Sequence, residues 1–256
     1  MIHTTAIVHP DARLAADVEV GAYSIIGEHV EIGRGTVVGP HVVINGHTRI
    51  GEHNRIFQFC SLGEIPQDKK YANEPTCLEI GDHNTIREFC TFNLGTAQDV
   101  GVTRLGNHNW IMAYVHLAHD CQIGNHTIFA NNAQLAGHVE VGDYAILGGF
   151  TVVHQFVRIG AHIITGMGTI LLQDVPTYML VSGNPAAPHG INSEGLKRRG
   201  YSSASIMAIK RAYKTLYKSG LSLNDANTAI GQQLAEHAEL QPLLDFLANS
   251  ERGIVR

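Results

Sequence analysis

The chain has 256 residues, 44% of them hydrophobic and 16% charged, so it can bury a substantial core in one or two domains. Its formal net charge of −5 gives no reason to expect nucleic acid or an anionic membrane as a partner. Residues 1–10 lack the pattern of a signal peptide, and the most apolar stretch, residues 144–172, is broken by His154, Arg158 and His162, so we expect no stable membrane insertion. Four cysteines without a CxxC pair favour reduced thiols in a cytoplasmic protein.

A six-residue repeat dominates the chain from Val8 to Leu171. A helical period of 3.6 or a strand period of 2 would not select every sixth residue. Three such hexads form a triangular coil of 18 residues, and coils stacked as parallel strands about 4.8 Å apart bury a continuous column, which predicts a parallel β-helix. Glycine often follows the repeated residue, as at Gly21 and Gly33, and because glycine reaches positive φ without steric cost, we expect it to form the turns. All the repeated positions except Thr165 are large and apolar: Val8, Leu14, Val20, Ile26, Ile32, Val38, Ile44, Ile50, Ile56, Leu62, Ile80, Ile86, Phe92, Leu105, Ile111, Leu117, Ile123, Phe129, Leu135, Val141, Leu147, Val153, Ile159, Thr165 and Leu171.

Two interruptions of the repeat predict loops. In the first, the six-residue phase would bury Asp68 and Glu74, and because unpaired buried carboxylates are costly, we expect residues 63–79 to leave the prism. In the second, the phase slips by one residue, which predicts a loop at about residues 93–104. Long loops on a rigid scaffold are commonly functional.

After the last hexad the pattern becomes helical. A serine cap at Ser202 or Ser203 predicts one helix, and a cap at Ser222 predicts another. We therefore predict a β-helix over residues 1–189 and an α-helical domain over residues 190–256.

Ionisable groups gather on neighbouring coils around residue 120. His116, His119 and Asp120 share one hexad, and His138 lies 18 residues after Asp120, one coil away in the same column. A neutral imidazole at His119 can take a proton from a hydroxyl, and Asp120 can fix its tautomer. A backbone N–H, such as that of Gly137, can stabilise the oxyanion formed when the hydroxyl attacks a thioester. The alternative is a structural role, in which these histidines only occupy turns at a solvent-exposed edge and take no part in catalysis.

Cations occupy two further regions. On the first predicted loop, Lys69 and Lys70 lie next to Asp68. The positive charge of a lysine at this place can bind the diphosphate of a ligand. The helical region carries a second cationic face, which suits an acidic partner. The alternative for both the loop lysines and this face is that their charges are exposed to solvent and bind nothing. The residues of this face are Lys197, Arg198, Arg199, Lys210, Arg211, Lys214 and Lys218.

Longer motifs are more specific than the hexads. They include HVVINGH (41–47), QDKKYA (67–72), HLAHDC (116–121), ANNAQLAGH (130–138), VHQF (153–156), QDVP (173–176) and EGLKRRG (194–200). On these motifs the chain resembles, along nearly all its length, the UDP-N-acetylglucosamine O-acyltransferases, hexapeptide-repeat enzymes that begin lipid A biosynthesis. The resemblance implies a left-handed β-helix, a homotrimer with clefts between subunits, and transfer of a 3-hydroxyacyl chain from acyl carrier protein to the 3-hydroxyl of UDP-N-acetylglucosamine. It implies no cofactor, since the phosphopantetheine arm belongs to the acyl carrier substrate.

The resemblance also implies roles for individual residues. His119 matches the catalytic base, Gly137 matches the oxyanion position, and His116 matches a neighbour in the acyl channel. Met167 matches the floor of a hydrophobic groove where relatives that accept longer chains have glycine, so a donor of roughly ten carbons is expected, since each excluded methylene is worth about 0.8 kcal/mol. The residues matching the nucleotide-sugar and carrier-linked groove are Asp68, Lys70, His138, Gln155, Asn192, Glu194, Arg198 and Arg199.

One departure and three alternatives accompany this interpretation. Where relatives commonly have TIHRGT, this chain has Asn93 and Leu94 in place of the histidine and arginine, which affects the expected preference for the nucleotide sugar. Some relatives acylate the 3-amino analogue of the sugar instead. A later pathway enzyme N-acylates its substrate, but its N-terminal uridine-binding domain has no counterpart before Val8. Gamma-class carbonic anhydrases share the fold and bind zinc through histidines, although a strand does not present residues i and i+3 together.

Overall fold

The computed structural model describes residues 1–250 and 252–256. Short strands follow one another from the N-terminus. They are β1 Ile7–Val8, β2 Arg13–Leu14, β3 Glu19–Val20, β4 Ile25–Ile26, β5 Glu31–Ile32, β6 Val37–Val38, β7 Val43–Ile44, β8 His47–Ile50, β9 Arg55–Ile56, β10 Ser61–Glu64, β11 Cys77–Ile80, β12 Thr85–Ile86, β13 Thr91–Asn93 and β14 Val102–Leu105. They continue as β15 Trp110–Ile111, β16 His116–Leu117, β17 Gln122–Ile123, β18 Ile128–Phe129, β19 Gln134–Leu135, β20 Glu140–Val141, β21 Ile146–Leu147, β22 Val152–Val153, β23 Arg158–Ile159, β24 Ile164–Thr165, β25 Ile170–Leu171, β26 Met179–Ser182 and β27 Ala187–Ile191.

Every third strand pairs in parallel, so the chain winds around three flat walls. Wall 1 holds β1 and each third strand to β25, wall 2 runs from β2 to β23, and wall 3 runs from β3 through β24 to β26, where the antiparallel β27 closes it. Regular pairs are 18 residues apart, as in Ile7 with Ile25. This is the expected left-handed parallel β-helix, with helices at its C-terminus. We call its edges corner I (walls 1 and 2), corner II (walls 2 and 3) and corner III (walls 3 and 1).

The repeated hydrophobic residues form the core. Ile44, Leu62 and Leu117 each have no exposed surface, and the core column continues down the prism in the same way. All four cysteines are free, as predicted, and three of them are buried.

The turns are not formed by the glycines that the sequence suggested. Of the glycines that follow the repeated residue, only Gly63 has positive φ. The left-handed position lies three residues after the repeated residue and usually carries a ring, as at Tyr23 (φ 60°) and His53 (φ 55°). Gly21 serves a different purpose, because a Cβ there would lie 2.6 Å from backbone atoms of Gly39 and Pro40 in the next coil. Glycine is needed for close stacking of the coils.

Rings at the left-handed turns stack into ladders, which explains much of the histidine content. At corner II the centroids of His53 and His83 are 5.0 Å apart, and each further step to His108 and His126 is 4.8 Å. The ladder continues through Tyr144, His162 and Tyr178. A ladder at corner III runs from Tyr23 to Tyr114.

The first excursion is shorter than the predicted residues 63–79. Only residues 65–76 leave the wall, because Cys77 already pairs with His47 in β8. The second excursion occupies residues 94–101, between β13 and β14.

In the residues that the structure describes, four α-helices follow the prism: α1 Ser193–Arg198, α2 Ser203–Lys218, α3 Leu223–Gly231 and α4 Gln241–Ala248. The hydroxyl of Ser202 caps α2 by accepting a hydrogen bond from the N–H of Ser205, and Ser222 caps α3 by accepting one from Asp225, as predicted. A short 3-10 turn, Ala238–Leu240, precedes α4. In the described part of the chain, none of the helices combines the length and apolar character needed to cross a membrane.

Candidate active site

Corner I brings both loops to the predicted catalytic residues. The first loop leaves wall 1 after β10 and the second leaves it after β13, one coil before β16. His119 and Asp120 lie at the same corner, immediately after β16. His138 follows one coil later, after β19, where its N–H donates to the carbonyl oxygen of His119.

His119 and Asp120 form an imidazole–carboxylate pair. Nδ1 of His119 lies 2.9 Å from Oδ2 of Asp120, whose side chain is fully buried, while the imidazole is 16% exposed. An ionised carboxylate only accepts hydrogen bonds, so Nδ1 carries the proton and Nε2 keeps a lone pair. A partly exposed imidazole whose Nδ1 is held by a buried carboxylate, with the lone pair on Nε2, is the arrangement of a general base.

Asp120 is fixed by the second loop. Its oxygens accept from the N–H of Thr96 at 3.0 Å and from its hydroxyl at 2.6 Å, and its own N–H donates to Thr103 Oγ1 at 2.8 Å. Burial works to raise the pKa of Asp120, but the hydrogen bonds from His119 and Thr96 outweigh it and hold this pKa below its usual value. Asp120 is therefore ionised and able to support an imidazolium at His119.

Gly137 lies against the imidazole of His119. A Cβ at this position would be 2.5 Å from Cε1 and 2.6 Å from Nε2 of His119. Because atoms cannot approach so closely, only glycine leaves room for the ring. The oxyanion role of the Gly137 N–H stays a prediction.

His138 is held on several sides. Its ring stacks on Phe156 at 4.3 Å and meets the ring of His119 edge to face, with centroids 4.9 Å apart. Its Nδ1 lies 2.5 Å from Oδ2 of Asp99, on the second loop, and 3.9 Å from Oδ2 of Asp120. A cavity of about 380 Å³ opens beside it and is lined by Asp99, His138, Glu140, Phe156, Arg158, Asp174 and Arg252.

The remaining residues predicted at this edge lie on the walls and on the first loop that meet at corner I. Gln155 is exposed and occupies the hexad position of Gly137 one coil further on. In the first loop, the N–H of Lys70 donates to Asp68 Oδ1 at 3.0 Å, and the lysine is exposed. His116 lies on β16, with its Nδ1 2.8 Å from Thr91 Oγ1, and burial lowers its pKa.

The residues that depart from the relatives form the base of the loops. Asn93 is buried and its amide donates to the carbonyl oxygen of Ile65 at 3.2 Å, which ties the two loops together. Leu94 is buried beside Gly46. Both side chains therefore contribute packing at this point.

Other predicted site residues lie on different corners of the same chain. Met167 follows β24 at corner III, is 81% exposed and packs over Gly149. Asn192 caps α1 and its amide donates to the carbonyl oxygen of His162 at corner II, at 2.9 Å. One chain alone does not bring either residue to corner I.

The other residues of the EGLKRRG motif accompany Asn192. Glu194 is paired with Lys197 at 2.8 Å, and this hydrogen bond lowers the pKa of the carboxyl. Arg199 donates to the carbonyl oxygen of Tyr144 at 3.0 Å and lies over its ring, and partial burial lowers the pKa of its guanidinium. Arg198 is exposed.

Three supporting residues could not be assigned from the sequence. Thr96 on the second loop and Thr103 on β14 bond Asp120, while Asp99 on the same loop bonds His138. The only available signal was the phase slip, which marked the loop but not the direction in which its side chains point.

Metal binding at corner I is geometrically feasible. One ligand atom each from His119, Asp120 and His138 lie within 4.8 Å of one another. The Nδ1 atoms of both histidines face carboxylates, so a metal bound through Nδ1 would replace these two hydrogen bonds.

A larger cavity, of about 570 Å³, lies between wall 2 and α4. None of the catalytic candidates lines it, and its arginines, Arg104 and Arg158, are already paired with Glu79 and Glu140. We therefore place the candidate site at corner I.

Comparison with known proteins shows the family to which the chain is related. Residues 174–255 match the family described as UDP-N-acetylglucosamine O-acyltransferase, domain 2, and residues 103–137 match the bacterial transferase hexapeptide family. The acyl-[acyl-carrier-protein]–UDP-N-acetylglucosamine O-acyltransferase of Thiobacillus denitrificans is 66% identical, over 100% of this chain and 99% of its own length. The protein of the same name from Neisseria meningitidis serogroup B is 58% identical over the same shares.

Solved structures give the same result. LpxA from Acinetobacter baumannii superposes with a TM-score of 0.98 at 50% identity, covering 100% of this chain and 99% of that one. The fold and these relatives together define a hexapeptide-repeat acyltransferase. More narrowly, the chain belongs to the family of acyl-[acyl-carrier-protein]–UDP-N-acetylglucosamine O-acyltransferases.

Proposed function

We propose that this chain transfers a 3-hydroxyacyl group from acyl carrier protein to the 3-hydroxyl of UDP-N-acetylglucosamine. The names of its relatives supply the two substrates. The observation that carries the proposal is the His119–Asp120 pair, in which a buried, ionised carboxylate leaves Nε2 of an accessible imidazole free.

In the proposed reaction Nε2 of His119 takes the proton of the sugar hydroxyl. The hydroxyl oxygen bonds to the thioester carbonyl carbon, and a backbone N–H near Gly137 is proposed to stabilise the resulting oxyanion. The carbon–sulfur bond then breaks, and the imidazolium returns its proton to the departing sulfur. Asp120 stabilises the imidazolium between these two steps.

Replacing His119 with alanine tests the proposal. Removal of a general base typically costs a factor of about 10² to 10⁴ in rate, so we expect a loss of kcat in that range. Acyl transfer from a purified acyl carrier thioester is the measurement. His29→Ala, an exposed histidine at the same corner but in an earlier coil, is the matched control and should retain activity. Full activity in His119→Ala would rule out the proposed mechanism.

We further propose that Met167 limits the donor to about ten carbons. Its thioether is exposed at corner III, where a neighbouring subunit would enclose it, and each methylene that it excludes is worth about 0.8 kcal/mol. We expect Met167→Gly to shift the preference toward longer donors. The measurement is mass spectrometry of products formed from a panel of acyl carrier thioesters. A wild-type preference for fourteen carbons would refute the role of Met167.

The cationic face is the proposed dock for acyl carrier protein. Lys210, Arg211, Lys214 and Lys218 are all exposed along α2, which suits an acidic partner. A homotrimer, a cytoplasmic location and the lack of a cofactor complete the proposal. Acyl transfer to the 3-amino analogue of the sugar is separated from it by supplying both sugars in competition.

Zinc binding is the second candidate, because His119, Asp120 and His138 have ligand-compatible spacing. It predicts one zinc per subunit and acyl transfer that survives His119→Ala. Metal analysis of the purified protein, together with the His119→Ala assay, separates the two functions.

A further inference from the structure

We propose that Asp99 is a positioning residue that holds the proton of His138 on Nδ1 and thereby presents Nε2 to a hydrogen-bond donor of the sugar. The inference rests on the proposed function for the identity of the ligand. Its structural part concerns only the second loop and His138.

The contact between the two side chains is direct. Oδ2 of Asp99 lies 2.5 Å from Nδ1 of His138, and the imidazole is 13% exposed while the carboxylate is 40% exposed. An ionised carboxylate has no proton to give, so Nδ1 must be the donor. Nε2 of the neutral ring is then an acceptor.

The neighbours of His138 fix the plane of its ring. They do not decide which of the two flipped orientations the ring adopts in that plane. Phe156 lies parallel to His138 within 6°, and His119 stands at 87° to it. These contacts would tolerate a half-turn about the Cβ–Cγ bond, which exchanges Nδ1 with a carbon. Only a polar partner distinguishes the two orientations.

Asp99 is the polar partner that decides between them. Asp120 Oδ2 is 3.9 Å from Nδ1 of His138, too far for a hydrogen bond, and Asp120 already accepts from His119 and Thr96. Asp99 is within bonding distance, and among the described residues its carboxylate has no other side-chain partner. The candidate site thus contains two hydrogen-bonded imidazole–carboxylate pairs, His119 with Asp120 and His138 with Asp99, and both use Nδ1.

The free Nε2 has a specific use in recognition. The 380 Å³ cavity beside His138 offers room for a ligand, and the sugar carries hydroxyl and amide N–H donors close to its 3-position. An acceptor at Nε2 matches such a donor, whereas an Nε2–H would face it with a second donor. Loss of Asp99 should therefore weaken sugar binding more than the chemical step.

The kinetic test compares Asp99→Ala with Val100→Ala, an exposed neighbour on the same loop. We expect KM for UDP-N-acetylglucosamine to rise about tenfold in Asp99→Ala, with a smaller change in kcat, as for loss of one hydrogen bond to a polar substrate group. Asp99→Asn, whose amide oxygen can still accept from Nδ1–H, should restore most of the lost affinity. Val100→Ala should match the wild type.

The structural test uses ¹⁵N-histidine NMR, with the His138 signals assigned from the His138→Gln spectrum. We expect the Nδ1–H form in the wild type and a shift toward the Nε2–H form in Asp99→Ala. An unchanged tautomer, or a changed tautomer with unchanged KM, overturns the proposal. If the tautomer shifts but the wild type transfers no acyl group, the position of His138 stands and the proposed function is what fails.

Discussion

At position 137, the lack of a side chain lets the imidazole of His119 reach the edge of the prism. The need for glycine at this position follows from distance alone, since the methyl group of an alanine would lie 2.5 Å from Cε1 of the ring. Gly149 occupies the same hexad position at corner III, but there an added Cβ would meet its nearest neighbour, an oxygen of Asn131, at 3.4 Å. Position 137 is therefore constrained by the catalytic ring rather than by the coil.

We expect Gly137→Ala to lower kcat/KM by at least about 100-fold, because a general base displaced by an ångström loses its alignment. The imidazole can swing away from the new methyl group, so the melting temperature should stay close to that of the wild type. Gly149→Ala serves as the control for stability and should melt like the wild type. Unchanged activity in Gly137→Ala would show that His119 does not act from this position.

At the scale of the elements, the hexads predicted the walls but not the turns. Because an inward side chain must recur once per strand, the repeat from Val8 to Leu171 predicted the stacked coils. It also predicted that Asp120 and His138 lie in one column. The prediction that glycine forms the turns is wrong, because residues with rings, such as His53, occupy the left-handed positions. Stacking between these rings offsets the cost of the left-handed backbone. The period of the aliphatic residues does not show which turn residues place their rings against one another in successive coils.

The site was predictable where its residues follow the repeat of the coils and hidden where they lie in a loop outside it. His119 and Asp120 are adjacent in sequence, and His138 is one 18-residue step away. Thr96 and Asp99 reach the site from a loop without periodicity, so their direction depends on tertiary contacts alone.

The corner II ladder makes stability depend on pH. Burial, together with the charge of Arg199, lowers the pKa of His162 from its usual 6.5 to about 4. The folded chain therefore keeps this imidazole neutral while the unfolded chain protonates it, so its contribution to stability is lost as the pH falls from about 6.5 toward 4. Because the ring keeps partial contact with solvent, we place the loss at about 1–2 kcal/mol.

His162→Phe should remove part of this dependence, since other rungs of the ladders already carry aromatic rings. The measurement is the melting temperature at pH 7.5 and pH 5, and the difference between the two should be smaller in the variant. His189→Gln, which changes an exposed histidine, should keep the wild-type difference. Equal pH dependence in His162→Phe and the wild type would contradict the assignment.

At the scale of the whole molecule, the predicted residues occupy all three edges of one prism. The base lies at corner I, Met167 at corner III, and Arg198 beside corner II. A rigid solenoid cannot fold its own edges together, so a single site that uses all three must be assembled by neighbouring chains. Closed packing around a threefold axis places one edge of each chain against another edge of the next.

This arrangement predicts complementation between two inactive variants. In the proposed trimer, His119→Ala lacks the base, while Arg198→Ala lacks a cation for the neighbour's site, so each homotrimer should be nearly inactive. When the two are co-expressed in equal amounts and assemble at random, a site is intact when one subunit keeps His119 and its neighbour keeps Arg198. These two conditions are independent, so about a quarter of the sites should be intact. Acyl transfer by the purified mixture should recover to about a quarter of wild-type activity, and a mixture no more active than its parents would place both residues in one chain's site.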